Sequence, residues 1–321
     1  MAVVTDSTAS LPDGVAQRWG VGVVPLDVLV GPTRHVEGVD LSPQELLAAL
    51  QRGVPVSTSQ PPPAAFAAAY RAAAEVGARE IVSVHLSGAL SGTVGAARLA
   101  AADAPVPVHV VDSAVTVMAL GYTVLTAARF ARGLPTTSGP LLDGPPPLEQ
   151  AEPAGPGERV SGWFTRTLGR APEPSTPTPD GDAVARLARE RSAQARAWFL
   201  VDSLDHLRRG GRLSAPAAAL GMVLGVRPLL TLRDGQVVVA EKVRTRRAAR
   251  ERLEALAHEH ADTRAAVRVA VHHLGQPELA AELVAQAQRW PGVLEVVSCE
   301  TSAAIAAHVG PGLLAVVVVD A

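Results

Sequence analysis

The chain has 321 residues, enough for two domains, and 48% of them are apolar although only 3% are aromatic. The core is therefore expected to consist mainly of Ala, Val and Leu. The formal net charge is −2 and no long basic stretch occurs, which argues against binding of a nucleic-acid backbone. The single cysteine, Cys299, excludes an internal disulfide and a cysteine-rich metal site.

Neither a targeting segment nor a membrane span is recognisable. The opening residues, MAVVTDSTAS, lack the basic region and the long apolar run of a signal peptide. No uninterrupted apolar stretch reaches the ~18 residues that a membrane helix needs. We therefore expect a cytoplasmic protein without stable membrane insertion.

Strands and helices alternate over the first 131 residues. Ser42, Pro43 and Glu45 form a capping-box pattern that predicts the start of a helix. The alternation is typical of a largely parallel sheet covered by helices, so we predict a Rossmann-like N-terminal α/β domain over residues 1–133. The predicted strands are 2–4, 21–29, 80–85 and 106–111, and the predicted helices are 11–19, 43–52, 64–76, 92–102 and 115–131.

Residues 134–181 interrupt this pattern, because they are rich in Pro, Gly, Ser and Thr. We predict an insertion that is extended or disordered. An apolar island at 160–168 either docks on the body or a partner, or is a nonspecific turn.

The remaining residues, 182–321, predict a C-terminal α+β domain with a mixed sheet. Asp234-Gly235 favours a β-hairpin. The predicted helices are 182–195, a short one after Ser203, 215–224, 245–260 and 277–289, and the predicted strands are 198–201, 227–232, 236–243, 266–272, 293–299 and 313–319.

Two hydroxyl-rich segments are candidates for ligand binding. Ser87 and Ser91 follow the strand at 80–85, and Ser57-Thr58-Ser59 precedes a Pro run. The carboxyl end of a parallel strand is where α/β proteins bind ligands. His308 stands just before a Gly-Pro-Gly turn and a buried strand. From these residues alone, helix capping by Ser and Thr and a core role for His308 remain alternatives.

Other chemistry finds weaker support. The phosphate-binding loop signature needs a lysine, and Lys242, the only one, lies outside any such pattern. The loop around Ser91 does not match the nucleophile elbow of hydrolases. For His258 and His260 we favour a solvated helix face over a metal site, and we give little weight to a metal site at His272-His273.

Seven motifs stand out along the chain: VVTDSTASLP, PVSTSQPPP, LSGALSGTVGAA, VVDSA, LVDSLDHLRRGGRLS, RPLLTLRDGQVVVAEKVRTR and AAHVGPG. They resemble motifs of the DegV family and occur in the same order, and the resemblance covers nearly the whole chain except 134–181. It implies a two-domain fatty-acid-binding protein; some members are the lipid-carrying subunit of a bacterial fatty acid kinase and present the carboxylate to a separate ATP-using subunit.

The same resemblance implies which residues meet the carboxylate. The family usually has Thr where Ser57 stands, and this difference keeps a hydroxyl. The family often has Ser where Gly88 stands, and this difference removes one hydroxyl donor. Two arginines match a basic partner surface of kinase-linked members, with ordinary solvation and helix C-terminal charge pairing as the alternative. The implied carboxylate-binding residues are Ser57, Thr58, Ser59, Ser87, Ser91, His308 and Arg244, and the implied partner surface is Arg209 and Arg212.

We thus expect a long-chain fatty acid in a buried apolar tunnel, with no cofactor, no metal and no catalysis by the chain alone. Helices 64–76, 92–102 and 215–224 are the predicted walls. Burial of each methylene stabilises the complex by ~0.8 kcal/mol, and the buried carboxylate must be hydrogen-bonded. The main alternative is a phosphotransferase or hydrolase that uses Asp6, Asp112, Ser91 and His308. A third is a scaffold whose Pro-rich insertion recruits partners.

Overall fold

The computed structural model describes residues 1–137, 139–145, 179–214 and 227–321. The described strands are β1 (Ala2–Asp6), β2 (Val21–Val24), β3 (Asp27–Val30), β4 (Thr33–Val36), β5 (Val56–Ser59), β6 (Ile81–His85), β7 (Val108–Asp112), β8 (Arg196–Leu200), β9 (Arg227–Arg233), β10 (Gln236–Val243), β11 (Val267–His273), β12 (Val293–Glu300) and β13 (Leu314–Asp320). The described α-helices are α1 (Val15–Trp19), α2 (Pro43–Gln51), α3 (Pro63–Glu75), α4 (Thr93–Ala101), α5 (Val117–Ala131), α6 (Gly181–Gln194), α7 (Asp205–Arg209), α8 (Arg246–Asp262), α9 (Pro277–Ala287) and α10 (Ala303–Val309).

The N-terminal sheet is parallel, in the order β2-β1-β6-β7, which confirms the predicted α/β arrangement. Its two central strands, β1 and β6, are almost entirely buried on both faces, as parallel strands covered by helices are. Helix α2 begins at the predicted capping box, with Glu45 N–H donating to Ser42 Oγ. The loops after β1, β6 and β7 meet at one edge of this sheet.

The C-terminal sheet is mixed, in the order β10-β9-β8-β13-β11-β12. Strand β13 runs antiparallel to both β8 and β11, so β8 and β11 point in the same direction. The β9–β10 hairpin turns at Asp234 and Gly235, whose φ angles of 50° and 76° are those of a left-handed turn. The predicted mixed α+β arrangement is confirmed.

A small antiparallel sheet, β4-β3-β5, was not predicted. The predicted strand at 21–29 breaks at Pro25, which has no backbone N–H for a continuing ladder. Its first half joins the parallel sheet as β2, and its second half pairs with β4 and β5. The hydroxyl segment at 57–59 is therefore a strand rather than a loop.

Part of the predicted insertion packs against the rest of the protein. Residues 139–145 pack on the body, with Leu141 fully buried. The indole N–H of Trp19 donates to the Leu141 carbonyl at 2.5 Å, and Glu295 Oε1 accepts from the Leu141 and Leu142 N–H groups at 3.2 and 3.0 Å. These bonds replace the extended or disordered state predicted for this part of 134–181. The apolar island at 160–168 and the helix at 215–224 lie outside the described residues.

Within the described ranges, no helix combines the length and apolar character needed to cross a bilayer.

Candidate functional site

Thr58 and His308 meet at the centre of the candidate site. Thr58 Oγ1 lies 2.8 Å from His308 Nε2, although the two residues are 250 positions apart. Thr58 lies on β5 and His308 on the last turn of α10, which begins at the cap of Ser302. Burial, helped by the nearby charge of Arg212, lowers the pKa of His308 to about 4. The imidazole is therefore neutral at pH 7 and forms a hydrogen bond with the threonine hydroxyl.

Strand alternation separates Thr58 from its two neighbours. Successive side chains on a strand point to opposite faces, so Thr58 borders the cavity while Ser57 and Ser59 do not. Both serines are exposed, and Ser59 Oγ donates to Asp27 Oδ2 at 3.3 Å. Two of the three hydroxyls that the resemblance implied at this segment are thus directed away from the cavity.

The two serines of the loop between β6 and α4 (residues 86–92, the Ser-Gly loop) have different roles. Ser91 borders the cavity, with its Oγ 2.8 Å from Thr93 Oγ1. Ser87 is buried outside the cavity lining; its Oγ donates to the Gly235 carbonyl at 2.8 Å and accepts from Ala89 N–H at 3.2 Å. Ser87 therefore fixes the loop against the β9–β10 hairpin.

Arg212 lies in the site rather than on an outer surface. Its Nε donates to the Leu90 carbonyl at 3.0 Å, one guanidinium N–H donates to the Gly210 carbonyl, and the side chain borders the cavity beside His308. The chain reverses at Gly211, whose φ of 69° is in the left-handed region, and this turn directs Arg212 inward. Arg212 is thus a half-buried residue of the cavity lining, and its contact with a partner stays a prediction.

Two other predicted arginines are solvent-exposed. Arg209 lies at the end of α7, and its Nε donates to the Asp205 carbonyl at 3.3 Å. Its exposed position suits the partner surface implied by the resemblance. Arg244 follows the end of β10 and does not border the cavity. The structure therefore does not bring Arg244 to the other head-group candidates.

The cavity runs between the two domains and is mostly apolar. Its walls come from the loop after β6, the start of α5, the inner face of β8, and helices α7 and α10. The apolar lining residues are Leu26, Leu86, Leu90, Val117, Ala197, Phe199, Leu207, Leu232, Val237, Ala304, Ile305, Val309, Leu313 and Ala315.

The predicted walls are wrong for helices 64–76 and 92–102. The helices found there, α3 and α4, contribute no residue to the cavity lining. They instead pack together on the outer side of the parallel sheet, where Phe66 and Tyr70 of α3 lie in one cluster with Ala96 and Ala97 of α4. Alanine-rich helices pack closely, and here they form solid core.

Sequence reasoning missed three polar residues of the lining, Thr8, Thr116 and His272. His272 Nε2 accepts from Met118 N–H at 3.1 Å, and its complete burial lowers its pKa to about 3. His272 therefore holds the start of α5 as a neutral group. Thr8 lies in the motif VVTDSTASLP, just after β1. Its place at the carboxyl end of a parallel strand was the sequence signal that could have predicted it as a lining residue.

The considered metal positions have other roles. In the described part of the chain, no group of three or more His, Cys, Asp or Glu side chains is arranged to hold a metal ion. The His258 ring stacks on Trp290 and the His260 ring packs edge-on against Trp198, so both are partly covered rather than fully solvated.

The four residues of the enzyme alternative do not assemble. Asp6 is fully buried, and its Oδ2 lies 3.0 Å from His85 Nδ1 and accepts from Leu86 N–H at 3.1 Å. Asp112 Oδ1 accepts from the N–H groups of Gly88 and Ala114 at 3.1 and 3.0 Å. Neither carboxylate borders the cavity that contains Ser91 and His308. Both shape the loops at the sheet edge.

Comparison with known proteins identifies relatives along the full length. The model of the DegV family, described as an uncharacterised protein family, matches residues 1–133 and 180–321. A DegV domain-containing protein of Streptomyces coelicolor is 42% identical over 319 residues, which covers 99% of this chain and 98% of that protein.

Two solved structures share the fold. A DegV family protein from Thermus thermophilus, described as binding fatty acid, is 29% identical with a TM-score of 0.81 and covers 100% of this chain and 99% of its own. DegV from Bacillus subtilis, described as a fatty acid binding protein, is 27% identical with a TM-score of 0.78, with the same coverage.

Proposed function

The chain belongs to the DegV family, and from this premise we propose that it binds a long-chain fatty acid in the cavity between its two domains. The observation that carries the proposal is the asymmetry of that cavity. One region holds Thr58, Ser91, Arg212 and His308, and the rest of the lining is apolar apart from Thr8, Thr116 and His272. An amphipathic ligand with one anionic end matches this distribution. The fatty-acid-binding relatives from T. thermophilus and B. subtilis support the same ligand class.

The carboxylate is held by one cation and neutral donors. Among the described residues that border the cavity, Arg212 is the one with a permanent charge, since His272 and His308 are neutral at pH 7. A carboxylate moved out of water needs a counter-charge and hydrogen bonds to offset its lost hydration. The Arg212 guanidinium supplies the first, and the Thr58 and Ser91 hydroxyls with His308 supply the second.

The alkyl chain contributes most of the affinity. Each methylene transferred from water to the leucine- and valine-lined walls stabilises the complex by ~0.8 kcal/mol. The alkyl chain of the fatty acid lies between the inner face of β8 and helices α7 and α10, on the side where Phe199, Leu207 and Val309 are found. No bond to the ligand is broken or made in this process, so the protein alone acts as a carrier.

We further propose that the bound carboxylate is presented to a separate ATP-using kinase subunit. Helix α7 supports this, because Leu207 borders the cavity while the neighbouring Arg209 is exposed to solvent. The helix thus joins the lipid site to a basic surface at which a partner can dock beside the carboxylate.

Matched hydroxyl variants test the head-group assignment. Ser91→Ala and His308→Ala should each weaken palmitate binding ~10-fold, the expected loss of one hydrogen bond to a charged group. Ser57→Ala is the control, because this exposed hydroxyl lies on the outer face of β5. Affinity is measured by titration calorimetry after delipidation. Equal affinities in all three variants would overturn the assignment.

Native mass spectrometry of the purified protein tests the function itself. A co-purified fatty acid supports the carrier function. Release of free acid from an ester, or hydrolysis of ATP, by the isolated chain would instead support the enzyme alternative.

A further inference from the structure

A second cleft lies across the C-terminal sheet from the lipid cavity. Strand β8 separates the two sites, since Ala197 and Phe199 border the lipid cavity whereas Leu200 borders the cleft. The cleft has a volume of about 360 Å³ and lies where β8 and β11 end and the chain enters new loops. The carboxyl ends of strands that run in one direction are a common place for ligands. The proposed lipid function does not use this cleft.

Three arginines and one carboxylate line the cleft. Asp202 Oδ1 is 3.2 Å from an Arg246 guanidinium nitrogen and 4.0 Å from one of Arg227. Arg250 lies one helical turn after Arg246 on α8 and is partly buried, and within the described chain no carboxylate pairs with it. Three positive charges against one negative charge leave the cleft at +2.

Two helices begin at the same cleft. The first two turns of α8 contribute Arg246 and Arg250, and the start of α9 contributes Gln276 and Leu279. Free N–H groups and the helix dipole make the start of a helix favourable for anions. Glu278, the acidic residue in the first turn of α9, does not border the cleft. The helix starts therefore add to the positive potential of the arginines.

The floor of the cleft is apolar and open. It consists of leucine side chains from α2, β8, β13, α9 and the loop after β11. Two glycines beside these leucines leave the floor uncovered. Gly275 and Gly312 have φ angles of 71° and 84°, which disfavour any side chain there. The leucines of the floor are Leu47, Leu200, Leu274, Leu279 and Leu314.

We propose that this cleft binds a small organic phosphate. The phosphate dianion lies among Arg227, Arg246 and Arg250 and matches the net charge of +2 that these arginines and Asp202 give the cleft, and the organic body covers the leucine floor. Guanidinium groups bind phosphate oxygens through paired N–H donors. Neither a neutral apolar molecule nor inorganic phosphate satisfies both parts of the cleft.

Titration calorimetry with three probes tests the ligand class. Phenyl phosphate should bind ~10-fold more tightly than inorganic phosphate, and phenol should not bind measurably at the same concentrations. Failure of phenyl phosphate to bind saturably, or equal affinities for phenyl phosphate and phenol, would overturn the proposal.

Matched arginine variants locate the site. Arg250→Gln should weaken phenyl phosphate binding ~10-fold. Arg247→Gln is the control on the same helix, because Arg247 is exposed and its Nε pairs with Glu251 at 2.7 Å outside the cleft. Asp202→Asn should strengthen binding, since it removes the competing carboxylate. Equal losses in the two arginine variants, or weaker binding in Asp202→Asn, would refute the site.

Palmitate affinity separates this proposal from the lipid function. Arg250→Gln should leave palmitate affinity unchanged, because β8 lies between the two sites. A parallel loss of palmitate binding would show that the variant acts through the fold and would overturn the assignment of a separate site.

Discussion

The guanidinium of Arg212, from the C-terminal domain, is bonded through Nε to the carbonyl oxygen of Leu90 in the N-terminal Ser-Gly loop, at 3.0 Å. This bond joins the two domains at the end of the cavity where we propose that the carboxylate lies. It also fixes a positive charge beside Ser91 and His308, where a buried carboxylate needs one. The charge is therefore part of the site before any ligand arrives.

Arg212→Gln should weaken palmitate binding ~10-fold or more, because the carboxylate loses its counter-charge while the hydroxyls remain. Arg209→Gln is the matched control, since Arg209 is exposed at the end of the neighbouring helix. Calorimetric titration of both delipidated variants measures the difference. If the two variants bind palmitate equally well, Arg212 does not hold the head group.

Acidification should destabilise the protein through its buried histidines. Burial lowers the pKa of His272 to about 3, whereas the unfolded chain takes up a proton near pH 6.5. Between these values the unfolded state binds more protons, so the free energy of unfolding falls as the pH falls, by ~1.4 kcal/mol per pH unit for this group.

Replacing His272 tests this pH dependence. Gln retains an oxygen that can accept from Met118 N–H but does not titrate. His272→Gln should therefore lose less stability than the parent between pH 6.5 and pH 5 in urea denaturation. Parallel stability curves for the two proteins would contradict the assigned titration.

Two helical glycines should respond to alanine in opposite directions. A Cβ at Gly121 in α5 would lie 2.6 Å from the Ala9 carbonyl oxygen and 2.7 Å from Met118 Sδ. Gly121→Ala should therefore destabilise the protein by ~1–3 kcal/mol through overpacking. Gly95 in α4 is exposed with open space around it, so Gly95→Ala should stabilise by ~0.5–1 kcal/mol. Denaturant titration measures the free energy of unfolding of both variants. Changes of the same sign in the two variants would contradict this packing.

Leu141 should behave as a core residue although it lies in a Pro-rich stretch. Leu141→Ala should cost ~2–5 kcal/mol, because its side chain is fully buried in a cluster formed by residues of both domains. Leu142→Ala, at the half-buried next position, should cost clearly less. Thermal denaturation compares the two, and a smaller effect at Leu141 would show that the segment is only loosely attached.

Most of both sheets could be predicted from hydrophobic patterning. The buried strands of the parallel sheet, the capping box at Ser42 and the Asp234-Gly235 hairpin all follow from local signals that the tertiary structure leaves unchanged. The small antiparallel sheet was missed because Pro25 splits one apolar run between two sheets. Helix α10 was missed because a run of alanines carries little periodicity.

The candidate site was predicted in part. Of the residues that the family resemblance implied for the carboxylate, Thr58, Ser91 and His308 border one cavity, and their contact with a carboxylate stays a prediction. The others, Ser57, Ser59, Ser87 and Arg244, lie outside the cavity lining. The family resemblance implied Arg212 as part of a partner surface, whereas the direction of its side chain depends on the left-handed turn at Gly211. Tertiary packing decides which side chains are buried and which face of a strand borders the cavity. The spacing of sequence motifs does not contain this information.

The segment 139–145 has a consequence for how a lipid exchanges. It is bonded to Trp19 on one domain and to Glu295 on the other, so a clamshell opening of the two halves would break at least one of these attachments. Opening of that kind therefore costs hydrogen bonds at this strap, whereas local displacement of side chains that line the cavity leaves the strap intact.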